Sequence, residues 1–366
     1  MDARARMEAS DEAEELRARH ARAYLRLAER VFPGHAEPAG PYWVDRLEPD
    51  DDDLRQATEW AIEAGETELA LELVGYLWSY WVHSGRLASG RSLAEAVLHM
   101  TGSETPSEAR VWGISGAGSL AYWSNDLETA RACYEEQLAL ASDLDLALGE
   151  ANAWYNLIYI LRTFGESAEA EAAVQRLRTI LADLAQLDRL DELETALLAT
   201  SAPAVLVDPE AQLPILAEHI ARLERSPSPF VQATLPGMRA MYHLAEGDVV
   251  SAARHTVSSL RVALAWRRIG DAITSLSFTA EMLVGRVHAQ IPATLLGAVE
   301  VAVERYGVSG PRWAMLLAGI VAEDATADLT AQLGPDGFEQ ALERGRRMTL
   351  DEAVDFIEER ADTVES

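Results

Sequence analysis

Residues 118–142 read Gly118-Ser-Leu-Ala-Tyr-Trp-Ser-Asn125-Asp-Leu-Glu-Thr-Ala130-Arg-Ala-Cys-Tyr134-Glu-Glu-Gln-Leu-Ala-Leu-Ala-Ser142. The pattern is that of a helix, a tight turn and a second helix. Gly118 is small enough to let the two helices approach. Asn125-Asp126 breaks the first helix and caps the second, with Glu128, three residues on from Asn125, as a capping-box partner. Ala130 falls where the helices cross, and Tyr134 plugs the gap to the next hairpin. One hairpin cannot bury its own apolar face, so the fold is decided by whether the unit recurs.

It recurs. Turn-like breaks fall at Gly85, Asn125, Gly165, Val207 (before Asp208-Pro209) and Gly247, with successive spacings of 40, 40, 42 and 40. Five residues after each break the crossing position reads Gly90, Ala130, Ala170, Gln212 (beside Ala211) and Ala252. A small residue in phase with a period near 40 is the mark of stacked helical pairs. The expected fold is therefore all-α, a right-handed superhelix of helical hairpins, with no alternating β-type segment anywhere.

Composition narrows the function. The chain has 366 residues and is 49% hydrophobic, enough to build one continuous solenoid core without a second domain. Its formal charge is −29, and all 31 basic residues are arginine. Without lysine there is no P-loop, no Schiff base and no lysine general base. Such acidity argues against nucleic acid as a direct partner, because phosphate neutralisation needs a basic surface. Solubility accounts for most of the charge, and a basic partner drawn to an acidic groove is the sharper alternative. No apolar run is long enough for a membrane span, and the N-terminus lacks a signal-peptide core, so the expected location is cytoplasmic. The lone Cys133 excludes an internal disulfide and a cysteine-rich metal cluster.

In chain order, residues 1–12 read as a mobile N-terminus and 13–64 as N-terminal helices. The first helix, 13–31, carries Leu16, Tyr24, Leu25 and Leu27 on its apolar side. Asp50-Asp51-Asp52-Asp53 precedes a helix whose N-terminal dipole it suits, and it lacks the glycine and ligand spacing of a calcium loop. Hairpins fill 65–289, with helices near 66–84, 86–100, 107–124, 126–142, 146–164, 166–184, 188–204, 209–224, 229–246 and 248–267, and a later helix near 270–288. Thr105-Pro106-Ser107-Glu108 reads as a capping box with proline at the first helical position. Pro203, Pro214 and Pro236 fall inside helical patterns, where they should kink the helices or shift their ends. Residues 290–360 read as C-terminal capping helices.

Three stretches, taken together, carry a resemblance. They are Arg17–Glu29 with Trp43–Glu48 and Asp53–Ala61; Leu77–Arg91; and Ala293–Val299 with Gly337–Val354. In this order they resemble the C-terminal tetratricopeptide-repeat region of large bacterial LuxR-type and signalling-ATPase transcriptional regulators. The hairpins are longer than a 34-residue tetratricopeptide unit. That family carries an ATPase module and often a DNA-binding helix-turn-helix; no Gly-x-x-x-x-Gly-Lys occurs in this sequence, and neither ATP hydrolysis nor DNA binding is carried over. The resemblance therefore implies a free-standing, regulatory, partner-binding part.

In such hairpins the first helix lines the concave face. The groove positions are then Glu72, Gly75, Tyr76, Ser79, Val82 and His83 in one hairpin, and Trp112, Ser115, Gly116, Ser119, Tyr122 and Trp123 in the next. In the third they are Asn152, Tyr155, Asn156, Tyr159, Arg162 and Thr163. A polar inner wall is normal for a solenoid. The functional alternative is a groove of donors, acceptors and flat aromatics that captures a partner protein or peptide. Matching positions in later hairpins (Leu197, Leu198, Met238, Met241 and Leu244) are more apolar, which suits a small amphipathic molecule in a receptor or cofactor-free enzyme cavity. Glu72 and His83 are the acid–base candidates, although their helical spacing separates them by about 16 Å. No motif demands catalysis, a metal or a cofactor. His243 and His255 share no metal-ligand spacing. A homodimer is left open.

The C-terminal segment reads as a cap. Thr349-Leu-Asp-Glu352 forms a capping box ahead of an amphipathic helix, and Phe338, Leu342, Leu350 and Phe356 supply the covering surface, each contributing about 2 kcal/mol when buried. Deleting residues 336–366 is expected to give an insoluble or oligomerising protein by size-exclusion chromatography. A soluble, monomeric truncation of normal stability would show that the segment caps nothing.

Overall fold

The structure is a computed structural model that describes residues 11–32, 42–184, 205, 209–308 and 325–361. Among these residues there is no β-strand. No described helix is long and apolar enough to cross a membrane. The chain forms two compact units, Met1–Tyr122 with Asp126–Ala153, and Trp123–Asn125 with Trp154–Ser366.

The helices are α1 (Asp11–Val31), α2 (Trp43–Leu47), α3 (Asp51–Glu63), α4 (Thr67–His83), α5 (Leu87–Leu98), α6 (Glu108–Trp123), α7 (Leu127–Asp143), α8 (Ala147–Thr163) and α9 (Ser167–Asp183). They continue as α10 (Pro209–Leu223), α11 (Pro229–Ala245), α12 (Val249–Ala265), α13 (Ile269–Met282), α14 (Gln290–Tyr306), α15 (Ala325–Arg346) and α16 (Leu350–Ala361). The predicted helix near 188–204, Pro203 and the break at Val207 lie outside the described residues, as do residues 1–10.

The repeat has a finer grain than the 40-residue spacing of its sequence. Helices α4, α7, α8, α9, α11 and α12 are each 17 residues long. Three-residue connections follow α4, α8, α11 and α12, and 17 plus 3 makes a step of 20. The connection contains a residue in the left-handed region, at Gly65, Gly85, Asn125, Asp145, Gly165, Gly247 and Arg267, with φ between 53° and 82°. In each, the next residue's N–H reaches the carbonyl five residues back at 2.8–2.9 Å, as in Glu66 to Ala61, Leu146 to Ala141 and Arg268 to Ala263. This 6→1 bond satisfies an orphan carbonyl and reverses the chain in the shortest space available. The helix breaks around Asp145 and Arg267 fall within a residue or two of those read from the sequence, and their left-handed residues carry no glycine signal.

The crossing positions are as close as their small residues suggest. Ala130 and Ala252 are fully buried and Ala170 nearly so. A Cβ placed on Gly118 would lie 2.9 Å from the Tyr134 ring and 3.0 Å from Cys133 Cβ. Tyr134 is buried there and shares a hydrogen bond with Ser119 at 3.1 Å. Several local expectations are corrected. The cap of α7 is Asp126, which accepts from the Thr129 amide at 3.3 Å, because Asn125 is used for the left-handed turn. Ser107 caps α6, accepting from the Arg110 amide at 3.2 Å, so the helix begins after the Thr105-Pro106 pair. On α1, Leu16 is 56% exposed, and Ala21, Ala28 and Val31 form the buried stripe instead. Pro214 and Pro236 lie inside α10 and α11, as the helical pattern placed them.

The aspartates at the cap and in the first turn of α3 do more than complement its dipole. Asp51 accepts the Tyr80 hydroxyl at 2.9 Å and pairs with Arg86 at 2.6 Å. Asp53 meets the Tyr24 hydroxyl at 3.0 Å and His20 Nε2 at 3.1 Å, and Asp50 also accepts from Tyr24. Helices α1, α3 and α4 are thereby braced by polar contacts along one edge of their common core.

In the second unit α10–α14 pack as successive neighbours, α15 lies on α14, and α16 lies on α12 and α14. The Thr349–Glu352 capping box forms reciprocally, with the Thr349 amide donating to Glu352 at 2.7 Å and the Glu352 amide donating to Thr349 Oγ1 at 3.2 Å. Leu342, Leu350 and Phe356 are buried, and Phe338 is packed against Val284, Ala293 and Leu329. Arg261 of α12 pairs with Asp355 and Glu358 of α16.

The α14–α15 contact is the tightest place for a substitution. A Cβ on Gly345 would collide with the Thr294 carbonyl and come within 2.8 Å of the Ala298 amide. Gly237, inside α11, would meet only Ser259 Oγ at 3.4 Å. In urea unfolding, Gly345→Ala should lose about 1–3 kcal/mol by overpacking, whereas Gly237→Ala should gain about 0.5–1 kcal/mol from helix entropy. Equal effects from the two changes would refute the close crossing.

Candidate functional site

Helix α4 is buried over most of its surface. Leu69, Leu71, Leu73, Val74, Leu77 and Tyr80 are buried, and Glu72, Tyr76 and Ser79 form a half-buried stripe beside Leu69 and Leu73. His83 does not continue that stripe. It is 4% exposed and sits edge-on to Trp43, ring centroids 5.7 Å apart at 86°. The packing of α2 against the end of α4 thus withdraws His83 from any acid–base pairing with Glu72.

Glu72 lies in a field of like charge. Burial raises its carboxyl above the usual range, and Glu68, Glu29 and Glu108 raise it further. The Tyr76 hydroxyl is pushed up to about 12 by burial, then by Glu29, Glu72 and Glu108. Three helices contribute: α1 brings Glu29, α4 brings Glu68 and Glu72, and α6 brings Glu108 in its first turn. The result is a focused negative potential around one aromatic ring, able to attract a cation. Glu68 was legible as the i−4 neighbour of Glu72. Glu29 and Glu108 were not, because their approach depends on how α1 and α6 pack.

The expected groove positions of α6 are largely closed. Trp112, Ser115 and Ser119 are buried, and Tyr122 is half-buried. The cause is the contact between α4 and α6. A Cβ on Gly75 would lie 3.0 Å from the Trp112 backbone, and one on Gly116 would lie 2.7 Å from the Val74 carbonyl. Glycines that the sequence assigns to a groove wall are used instead to bring the helices together, which seals the side chains between them.

On α8 the residues divide. Asn152 Oδ1 accepts from Ser115 Oγ at 2.8 Å and from Gln137 Nε2 at 2.9 Å, tying α6, α7 and α8 together. Tyr155, Asn156, Tyr159 and Arg162 are half-buried. The Tyr155 and Tyr159 rings meet edge to face, 5.3 Å apart at 85°. Burial pushes the Tyr159 hydroxyl up to about 12.

Other chemistry is limited. Among the described residues, no group of three or more His, Cys, Asp or Glu is arranged to hold a metal ion. The Cys133 thiol is pushed up to about 11, chiefly by burial, which leaves it a poor nucleophile. His243 and His255 are brought together by the α11–α12 hairpin, their rings stacked 5.2 Å apart and within 5° of parallel. Burial lowers the His255 imidazolium below its ordinary range, and His243 and Arg239 lower it further. Twelve residues of separation hid this pair from sequence reading.

A glutamate whose folded-state value is raised holds its proton while the unfolded chain ionises, so the fold loses stability as pH rises through that range. Glu72→Gln removes the penalty. The variant should melt above the parent protein at pH 7, and the difference should vanish as pH falls below the ordinary value of 4.5. A lower melting temperature for the variant at pH 7 would contradict the like-charge cluster. No protein-family model and no curated protein matches this chain.

Proposed function

We propose that the protein is a helical-repeat binding module of tetratricopeptide type, with a regulatory role in the cytoplasm, that captures a basic segment of a partner protein or peptide on the α4 face. The observation that carries this reading is the convergence of Glu29, Glu72 and Glu108 around Tyr76, with Glu68 beside Glu72. Carboxylates held together at a cost in self-repulsion are relieved by a bound guanidinium or ammonium group, and the tyrosine ring offers that cation a face. A net charge of −29 steers a basic segment from a distance. The resemblance of Arg17–Glu29, Leu77–Arg91 and Gly337–Val354 to the partner-binding part of LuxR-type regulators supports the same role. No feature of the face requires a reaction.

The test is fluorescence anisotropy with a labelled arginine-rich peptide and with the same peptide carrying glutamine for arginine. The basic peptide should bind and the neutral one should not, with affinity falling as salt rises. Combined Glu29→Gln, Glu72→Gln and Glu108→Gln should weaken binding by about tenfold or more while the protein stays folded. Binding unchanged in the triple variant would refute the assignment of this face.

A further inference from the structure

On α8, Tyr155, Tyr159 and Arg162 follow at i, i+4 and i+7 and so share one face. The tyrosine hydroxyls are 3.4 Å apart, and the two rings form a corner. Arg162 stands one turn beyond Tyr159, half-buried.

The other arginines of this unit that lie near carboxylates are neutralised by them. Arg268 Nε is 2.5 Å from Asp271, with its guanidinium over the Phe230 ring. Arg239 pairs with Glu224 at 2.7 Å, and Arg346 pairs with Glu300 at 2.9 Å. Arg162 differs. Among the described residues no ion pair or hydrogen bond joins its side chain to a carboxylate. Burial holds it below the usual arginine range, and Tyr159 and Glu171 only partly offset this. A guanidinium drawn out of water without an anion is a costly arrangement. The cost is also avoidable in a chain with 60 acidic residues against 31 basic ones. A positive charge kept without a counter-ion is an open place for one.

We propose that Arg162, flanked by Tyr155 and Tyr159, binds an organic monocarboxylate attached to a flat, aromatic body. One uncompensated positive charge matches one negative charge. A phosphate dianion would leave a surplus negative charge in an already acidic protein. The guanidinium fork fits the two oxygens of a carboxylate, and the edge-to-face tyrosine pair offers an aromatic ring a third partner. Burial pushes the Tyr159 hydroxyl up to about 12, so it keeps its proton at neutral pH and adds no negative charge beside Arg162. The site does not depend on the acidic face of α4, since none of those glutamates belongs to it. Its ligand is either a free aryl acid or the C-terminal carboxylate of a peptide ending in an aromatic residue.

Calorimetric titration and thermal unfolding of the full chain test this with benzoate and with N-acetylphenylalanine, the second standing for a peptide terminus. Benzamide, N-acetylphenylalaninamide and inorganic phosphate serve as controls. At least one of the two carboxylates should bind and raise the melting temperature, and the amides and phosphate should not. Whichever acid is preferred identifies the source of the carboxylate. Arg162→Met should weaken binding about thirtyfold or more, and Arg162→Lys should fall between it and the parent protein. Without ligand, Arg162→Met should melt at or above the parent temperature, since it removes an uncompensated charge. The proposal is overturned if neither carboxylate binds, if the amides bind equally, or if binding survives Arg162→Met. A ligand-free Arg162→Met protein that melts well below the parent would overturn it too, by showing that the charge is already satisfied within the fold.

Discussion

The structure depends on one hydrogen bond made again and again: an amide just past a left-handed residue reaching a carbonyl five positions back. It closes helices at Gly65, Gly85, Asn125, Asp145, Gly165, Gly247 and Arg267. Each closure ends a helix without leaving its last carbonyls dry and unpaired, and starts the next helix within three residues. Because 17-residue helices alternate with these connections, small residues such as Ala130 and Ala252 return to the crossing point in register. The packing of each hairpin follows from that register, and a side chain's place in a helix decides whether it is core, wall or surface.

Charge is the second constraint. A chain this acidic cannot neutralise every carboxylate internally, so the placement of its arginines is informative. Arg86, Arg91, Arg239, Arg261, Arg268 and Arg346 each meet an acid. Asp50, Asp51 and Asp53 are absorbed by tyrosines, His20 and Arg86 at the start of α3. Against that background two places stand out by opposite imbalance: the glutamates around Tyr76, which repel one another, and Arg162, which is half-buried with no paired acid among the described residues. Unrelieved electrostatic cost inside an otherwise well-paired fold is what local stability alone would remove.

The sequence by itself determined the helical class, the hairpin spacing and most helix bounds within a residue or two, because these follow from 3.6-residue periodicity and from glycine at the turns. It also located the C-terminal capping box at Thr349–Glu352, a signal contained in four consecutive residues. The breaks around Asp145 and Arg267 were read, but not which residue in each turns left-handed, and the caps of α6 and α7 fell beside the residues a motif would choose. The tertiary structure alone decided which inner-face residues remain accessible. Glycines along the α4–α6 contact drew Trp112, Ser115 and Ser119 inside, and α2 covered His83. It also decided that Glu29 and Glu108 join Glu72, and that no acid among the described residues pairs with Arg162, because both depend on how the helices pack. Periodicity states which face a residue occupies; only packing states what stands opposite it.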